Sequence, residues 1–563
     1  MQSERNKIGR DGQLPGFAAD EPLRNEALNE AGDDSGNRPW LVLAMLSVGV
    51  ILAALDLTVV VAILTTMMND LNVTLFEIDQ GAWIVSAYLL AYTITMPFMG
   101  RVSDVFGRRS VFLGALLLFV IGSVGAALAN TLPLMIAART AQALGGGAMV
   151  PVSMAVVGDL FPPRRRGLAL GLIGAADTAG WIIGPLYGSF MLKWFQDVKL
   201  FGDQALSWRS IFWVNVPLGL LSAVLIFFAL RPGKGIRVEV RERKSIDWGG
   251  VVLLALFLTA LNLALGGGKE TTALSGGTDL SQLDQNPLKQ YQIPLLVGAA
   301  VALLLFIFLE LRVKHPLLNL RTFRRITYSA ANLANFLIGG ALVIGLVGIA
   351  LFVNATDKSE DIIDIAFHSA LALAPLTLGM AIGAVVGGWL SDRLGYRWVT
   401  IGGLLLVVAG FILMAQWNSE MRPPDALPQL FPGPGVTGLG FGIIIAPVGT
   451  AVIDSAERED IGVAAALVLI LRLIGMTVGV SILSTWALNR YDQLKPQVTD
   501  LTKLSGQDIR GPLVQVVTEL FVGAAIIGAA ALLPALFLRR TSAYEADLTP
   551  EELARKREVG RLL

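Results

Sequence analysis

Four charged side chains lie where the surrounding sequence is apolar: Asp56, Arg139, Asp177 and Arg472. A charge in the middle of a hydrocarbon layer is costly unless it faces a partner or a wet cavity. Such residues therefore either mark a proton or substrate pathway or pair to fix helix packing. The chemistry open to a carboxylate and a guanidinium there is proton exchange. A low-dielectric setting favours the neutral carboxyl and an approaching arginine favours the ionised one, so alternation between the two loads and releases a proton. Asp56 and Asp177 are the candidates for that group. Asp177 is ahead because it sits just before a Gly-rich, Pro-containing stretch that can bend and pack tightly against the opposite half of the protein. Arg139 could balance either carboxylate, and Arg472 could bring the opposing charge across a cavity. Asp159, Glu310 and Asp454 fall nearer the ends of apolar stretches.

These residues must be positioned by helices in a membrane. Of 563 residues, 54% are hydrophobic and 16% charged, against about one quarter charged in soluble globular proteins. The spacing predicts spans near 40–64, 80–99, 110–129, 132–158, 168–192, 209–230, 247–265, 291–311, 327–353, 366–390, 398–416, 435–456, 462–488 and 514–538. Each is long enough for a hydrocarbon core of about 30 Å. Basic residues test the count independently, because Lys and Arg collect in cytoplasmic loops. Arg101, Arg108 and Arg109, then Arg164 to Arg166, then Arg231 to Lys244, then Arg312 to Arg325, then Arg393 and Arg397, then Arg539 and Arg540 all fall in alternate loops. Acidic residues such as Asp70, Glu77, Asp79, Asp357 and Glu360 occupy intervening ones. An even number of spans with both termini cytoplasmic follows. Residues 1–38 are polar and read as a disordered tail.

Other chemistries find little support. Equal numbers of basic and acidic residues, 44 each, give no reason to expect nucleic acid as a partner. Without cysteine, and with only His315 and His368, there is no thiolate chemistry and no imidazole metal site. Gly145-Gly146-Gly147 and Gly266-Gly267-Gly268 lack the Gly-Lys-Ser/Thr ending of a nucleotide loop. Nor is there a Ser/His/Asp constellation, so an enzyme is not expected.

The loop after span 2 reads Gly100-Arg-Val-Ser-Asp104-Val-Phe-Gly107-Arg108-Arg109, and the loop after span 10 reads Gly388-Trp-Leu-Ser-Asp392-Arg393-Leu-Gly395-Tyr-Arg397. Self-similarity at corresponding loops predicts two repeated halves, as in transporters that rock about a central site. The first loop resembles the signature between helices 2 and 3 of the major facilitator superfamily, and the second its weaker repeat. Further motifs resemble its fourteen-helix drug:proton antiporters: Leu55-Asp56-Leu57-Thr58-Val59-Val60 in span 1, Arg139 and Gln142 in span 4, and Gly180, Gly184-Pro185 and Gly188 in span 5. Trp208-Arg209-Ser-Ile-Phe212-Trp-Val-Asn215-Val-Pro217-Leu-Gly219 before span 6, Asp247-Trp248 and His315-Pro316-Leu317-Leu318 also match. Ala143 and Ser189 depart from the family's usual glycines, and Val61 and Leu64 from its helix-1 Asn and Pro. With Asp177 and the Arg472-Leu-Ile-Gly475-Met476-Thr477-Val-Gly479 segment, the chain is similar to mycobacterial exporters associated with triacylglyceride and drugs.

The resemblance implies an all-α polytopic membrane protein: an N-terminal six-helix bundle over 40–230, two additional helices within a 231–326 linker, and a C-terminal bundle over 327–538. The flanking tails, 1–39 and 539–563, would be cytoplasmic. It implies a bacterial cytoplasmic-membrane exporter of hydrophobic or amphipathic compounds, driven by the proton gradient without a cofactor. It would work as a monomer among membrane lipids and could pass lipid to a periplasmic carrier protein. Drugs and lipids share one scaffold, so a dedicated lipid transporter is an alternative, and a channel or receptor is the alternative from another class. Asp56, Arg139, Asp177 and Arg472 would serve proton coupling in a central cavity. Gly100, Asp104, Gly107 and Arg108, with Gly388, Asp392, Arg393 and Gly395, would latch the cytoplasmic side closed. The span-5 glycines serve either gating or plain packing. The basic segment Lys234 to Lys244 is either a surface-lying element or a tether, and segments 266–290, 417–436 and 489–513 are either part of an exit route or simple loops.

Overall fold

Lipid offers no partner for backbone polar groups, so chains rich in Leu, Val, Ala and Gly satisfy them internally as helices. The computed structural model describes residues 38–71, 73, 78–81, 83–195, 198, 206–230, 247–265, 289–313, 316–359, 362–457, 460–494 and 506–539, and these form helices and connecting turns without a strand. The terminal tails, the Lys234–Lys244 segment, His315 and most of 266–290 lie outside the described residues.

The N-terminal half contains α1 (Arg38–Asp70), α2 (Trp83–Phe106), α3 (Arg108–Ala127), α4 (Leu132–Leu160), α5 (Pro163–Phe195) and α6 (Arg209–Ala229). Next come α7 (Trp248–Leu265) and α8 (Gln292–Glu310). The C-terminal half contains α9 (Ile326–Thr356), α10 (Ile362–Leu394), α11 (Tyr396–Met414), α12 (Pro432–Ser455), α13 (Ile461–Leu494) and α14 (Gly506–Ala530). Each predicted span coincides with one of these helices. Thirteen described helices meet the length and hydropathy expected of a membrane span, and α5, 33 residues long, occupies the remaining predicted position.

The repeat seen in two loops extends to the packing. In the first half α1 packs on α5, α2 on α4, and α3 on α4 and α6; in the second, α9 packs on α13, α10 on α12, and α11 on α12 and α14. The halves meet along two matching seams, α2 against α13 and α5 against α10. Helices α7 and α8 pack on each other, with α7 against α2. Only 17% of the central stretch of each is buried, compared with 89% for α9. They are a peripheral pair, as expected for an insertion between two bundles.

Gly107 and Gly395 hold equivalent places in the turns before α3 and α11, with φ of 89° and 81°. That left-handed backbone crowds a Cβ, which accounts for glycine in both signature loops.

Candidate proton-coupling and gating site

The described basic loops share one face of the molecule, and the cross-bundle bonds of Asp104, Asp392, Arg101 and Arg166 lie there. Asp104 Oδ1 on α2 accepts the Gly462 N–H at the start of α13, at 3.1 Å. In the other seam Asp392 on α10 accepts the Gly167 and Leu168 N–H groups near the start of α5, at 3.0 and 3.1 Å. Asp104 thus receives a free N–H from the first turn of the opposite bundle's helix, an arrangement worth about 0.3–1 kcal/mol when exposed and up to ~2 when partly buried, while Asp392 accepts two N–H groups slightly further into α5. Arg101 pairs with Asp460 at 3.0 Å, and Arg166 pairs with Asp454. Glycines let the seams close: a Cβ on Gly100 would lie 2.5 Å from the Gly462 carbonyl oxygen, and one on Gly388 2.5 Å from that of Gly167.

On the opposite face the ion pairs of Asp70, Asp357 and Arg490 each join residues of one bundle. Asp70 binds Arg209 and accepts from Trp208 Nε1 at 3.1 Å. Asp357 meets His368 at 2.7 Å, and Arg490 grips Glu519 through two contacts of 2.8 and 3.0 Å. The molecule is therefore shut at its basic face.

The two signature arginines make their own contacts within their half. Arg393 does not cross the seam; it is exposed and stacks on Trp389 of its own helix at 4.1 Å. Arg108 binds Asp104 at 2.6 Å and Asp159 at 3.1 Å, both in its own half. Among the described residues, Arg101 and Arg166 form ion pairs across the seams. In the second repeat Tyr396 takes the place of Arg108 and donates to Asp454 as Arg108 does to Asp159. Sequence inspection had these acids and basic loops in view, but nothing along the chain pairs Arg166 with a residue 288 positions away.

The four intramembrane charges separate into two sets. Asp56 and Arg139 are 0% and 1% exposed, bonded to each other inside the first bundle rather than facing a cavity. Gln142 and Asn215 each donate to Asp56 Oδ1 at 2.8 Å, and Gln142 also donates to Ser123. Arg139 further lies 3.9 Å above the Tyr88 ring. The network pairs both charges and hydrogen-bonds both Asp56 oxygens, as a structural core does, while Arg139 Nε is buried without a hydrogen-bond partner.

Asp177 and Arg472 are half-buried and belong to opposite bundles, and Arg472 is the charge that acts on Asp177 across the interface. Arg472 Nε is steadied by Asn335 Oδ1 at 3.3 Å. Beside them opens a small, largely apolar pocket lined by Leu57, Tyr92, Trp181, Leu258, Leu473 and Met476 among others. Trp181 follows Asp177 by one helical turn and Leu473 adjoins Arg472, so the charge pair sits at the pocket's edge. Tyr92 lines the pocket, interacts electrostatically with Asp177 and stacks on Tyr88 at 5.9 Å, which links the cavity to the Asp56 network. Neither tyrosine stood out in the sequence, because an aromatic in a membrane helix has no signature of its own.

The glycines of α5 divide the same way. Gly180, Gly184 and Gly188 do not pack on the opposite bundle: they hold α5 against α1, where a Cβ would meet Ala54, Thr58 and Val59. Gly167, Gly171 and Gly174, earlier in α5, are the ones pressed against α10 and α12. The side chain of Pro185 lies outside what is described.

Comparison with known proteins agrees with this architecture. The model of the Major Facilitator Superfamily matches residues 46–367 and 363–561. The chain belongs to that superfamily. Superfamily relatives include triacylglyceride transporters of Mycolicibacterium hassiacum, 35% identical over 80% of both chains, and of Mycobacterium tuberculosis, 35% identical over 80% of this chain and 82% of that one. Among solved superfamily structures, the human organic anion transporter TETRAN superposes with a TM-score of 0.56 at 15% identity, covering 87% of this chain and 99% of its own. The Escherichia coli fucose:proton symporter gives 0.53 at 14%, covering 89% and 98%. This protein is a transporter, not an enzyme.

Proposed function

We propose that this transporter exports hydrophobic or amphipathic compounds, lipids such as triacylglyceride foremost and drugs as well, across the bacterial cytoplasmic membrane in exchange for protons. The basic face and both termini are cytoplasmic in this reading, and the closed seams make the conformation outward-facing. The observation that carries it is the half-buried Asp177 opposed by Arg472 from the other bundle, at the edge of an apolar pocket. Rocking of the bundles changes the separation of the two charges, and with it the carboxyl's hold on a proton. Cargo in the pocket and a proton on Asp177 then compete through the same movement. The names of the mycobacterial relatives favour lipid as the principal cargo. The protein acts as a monomer with no cofactor, and hands lipid to a periplasmic carrier.

The test is transport in sealed vesicles of known orientation under an imposed pH gradient, comparing labelled triacylglyceride with a lipophilic cationic dye. Gradient-dependent movement that Asp177→Asn abolishes is expected, and the faster cargo ranks lipid against drug. Movement indifferent to the gradient and to the substitution would show Asp177 to be structural.

A further inference from the structure

Helix α7 is peripheral by burial, yet it packs on both halves at once, on α2 of the first and on α13 of the second. Its inward face is set by spacing. Leu258, 3% exposed, joins Tyr92, Met96, Ala466 and Ile470 in one buried cluster, with Leu254 and Phe257 packed against it. Leu261 and Asn262 follow Leu258 by three and four residues, which puts them on the same helical face. All three line the pocket beside Asp177. One wall of that pocket is therefore supplied by a helix that belongs to neither bundle.

That wall carries a polar group of a different kind from the rest of the lining. Three threonines line the same pocket, and each donates its hydroxyl back to a carbonyl of its own helix: Thr58 to Leu55 at 3.3 Å, Thr93 to Leu89 at 2.8 Å and Thr477 to Leu473 at 3.0 Å. Tyr92 and Trp181 also carry donors, and both lie at the charged edge, where Tyr92 interacts with Asp177 and Trp181 follows it by one turn. The Asn262 carboxamide is half-buried and makes no hydrogen bond among the described residues. It offers two N–H donors. With Leu258 and Leu261 beside it, those donors are satisfied inside the pocket only by an acceptor that the cargo brings. The described lining residues include no charged side chain, so a phosphate or carboxylate would be buried there without a counterion. An ester carbonyl accepts a hydrogen bond without carrying a charge.

The geometry points to Asn262 as a specificity-determining residue whose carboxamide donates to the carbonyl oxygen of an uncharged acyl ester, the acyl chains filling the apolar pocket. This deepens the lipid-export reading above and rests on it. An ether of the same shape has only a weaker acceptor to offer, so the peripheral helix selects for the ester group and not for hydrophobicity alone.

Equilibrium binding to detergent-solubilised full-length protein tests this without a pH gradient. A fluorescent triacylglyceride is displaced either by unlabelled triacylglyceride or by the glycerol triether with the same chains. The wild type should hold the ester about fivefold more tightly than the ether, the worth of one hydrogen bond. Asn262→Leu should abolish that preference, and Asn262→Gln, which keeps the amide, should restore part of it. In infrared spectra the band of an isotope-labelled ester carbonyl should move to lower frequency on binding to the wild type and stay in place with Asn262→Leu. Equal affinity of the wild type for ester and ether, or a preference that survives in Asn262→Leu, would overturn the proposal. So would equal loss of both ligands in that variant, which would make Asn262 a packing residue of α7. If the wild type binds neither lipid while still binding a lipophilic cationic dye, the lipid reading itself falls and the proposal with it.

Discussion

Gly388 of α10 and Gly167 of α5 meet backbone to backbone across the interface between the two halves, with no room for a Cβ on Gly388 nearer than 2.5 Å to the Gly167 carbonyl oxygen. Gly100 of α2 and Gly462 of α13 repeat the contact in the matching seam. Gly388→Ala or Gly100→Ala should therefore hold the basic face apart without disturbing either bundle. Ala384, fully buried against Gly171, reports this when replaced by cysteine. Its labelling by a water-soluble maleimide from the basic face should quicken at least about tenfold in Gly388→Ala, a shift of ~1.4 kcal/mol in the opening equilibrium. An unchanged rate would mean that the seam is not what closes this face.

Removing one member of a buried ion pair strands the other. Asp56→Ala leaves Arg139 inside the first bundle with its ionic partner gone, and the loss should be about 3–5 kcal/mol of stability. Thermal unfolding in detergent would measure it. Asp177→Asn, at a half-buried position without such a network, should move the same transition by less than ~1 kcal/mol. Similar destabilisation by both would contradict the division into a structural pair and a functional one.

Arg472→Gln leaves Asp177 with no opposing charge from the second bundle. Gradient-driven transport should fall to the level of Asp177→Asn, while binding of a fluorescent lipid to the apolar pocket persists. A double substitution no worse than either alone would show that the two act as one unit.

The two signature aspartates act at separate seams. Asp104→Asn and Asp392→Asn should each slow turnover severalfold with cargo affinity nearly unchanged, since they bias a conformational equilibrium and do not touch the pocket. Arg393→Ala, despite its place in the motif, should have little effect, because its side chain lies on Trp389. Comparison of initial rates at saturating cargo would separate these cases.

Much of the architecture was legible because membranes impose one-dimensional rules. Apolar run length gives the spans, and alternation of basic loops gives their relative sidedness. Gly100 to Arg109 and Gly388 to Arg397 showed the internal repeat, and the positive φ at Gly107 and Gly395 explains why that pattern survives in both halves. The roles of individual charges were less accessible. Asp56 and Asp177 look alike as isolated acids in apolar helices, and only their surroundings separate them: four side-chain donors around the first, a facing bundle and an apolar pocket around the second.

By itself the sequence determined that this chain is a membrane-embedded bundle of two repeated halves, because hydrophobic length, charge alternation and loop motifs are local properties. The tertiary structure decided which arginines cross the seams and which aspartate faces the other half. Those outcomes depend on contacts between residues far apart in the chain. Burial and pairing, which set the electrostatic role of a charge, exist only once the helices have packed.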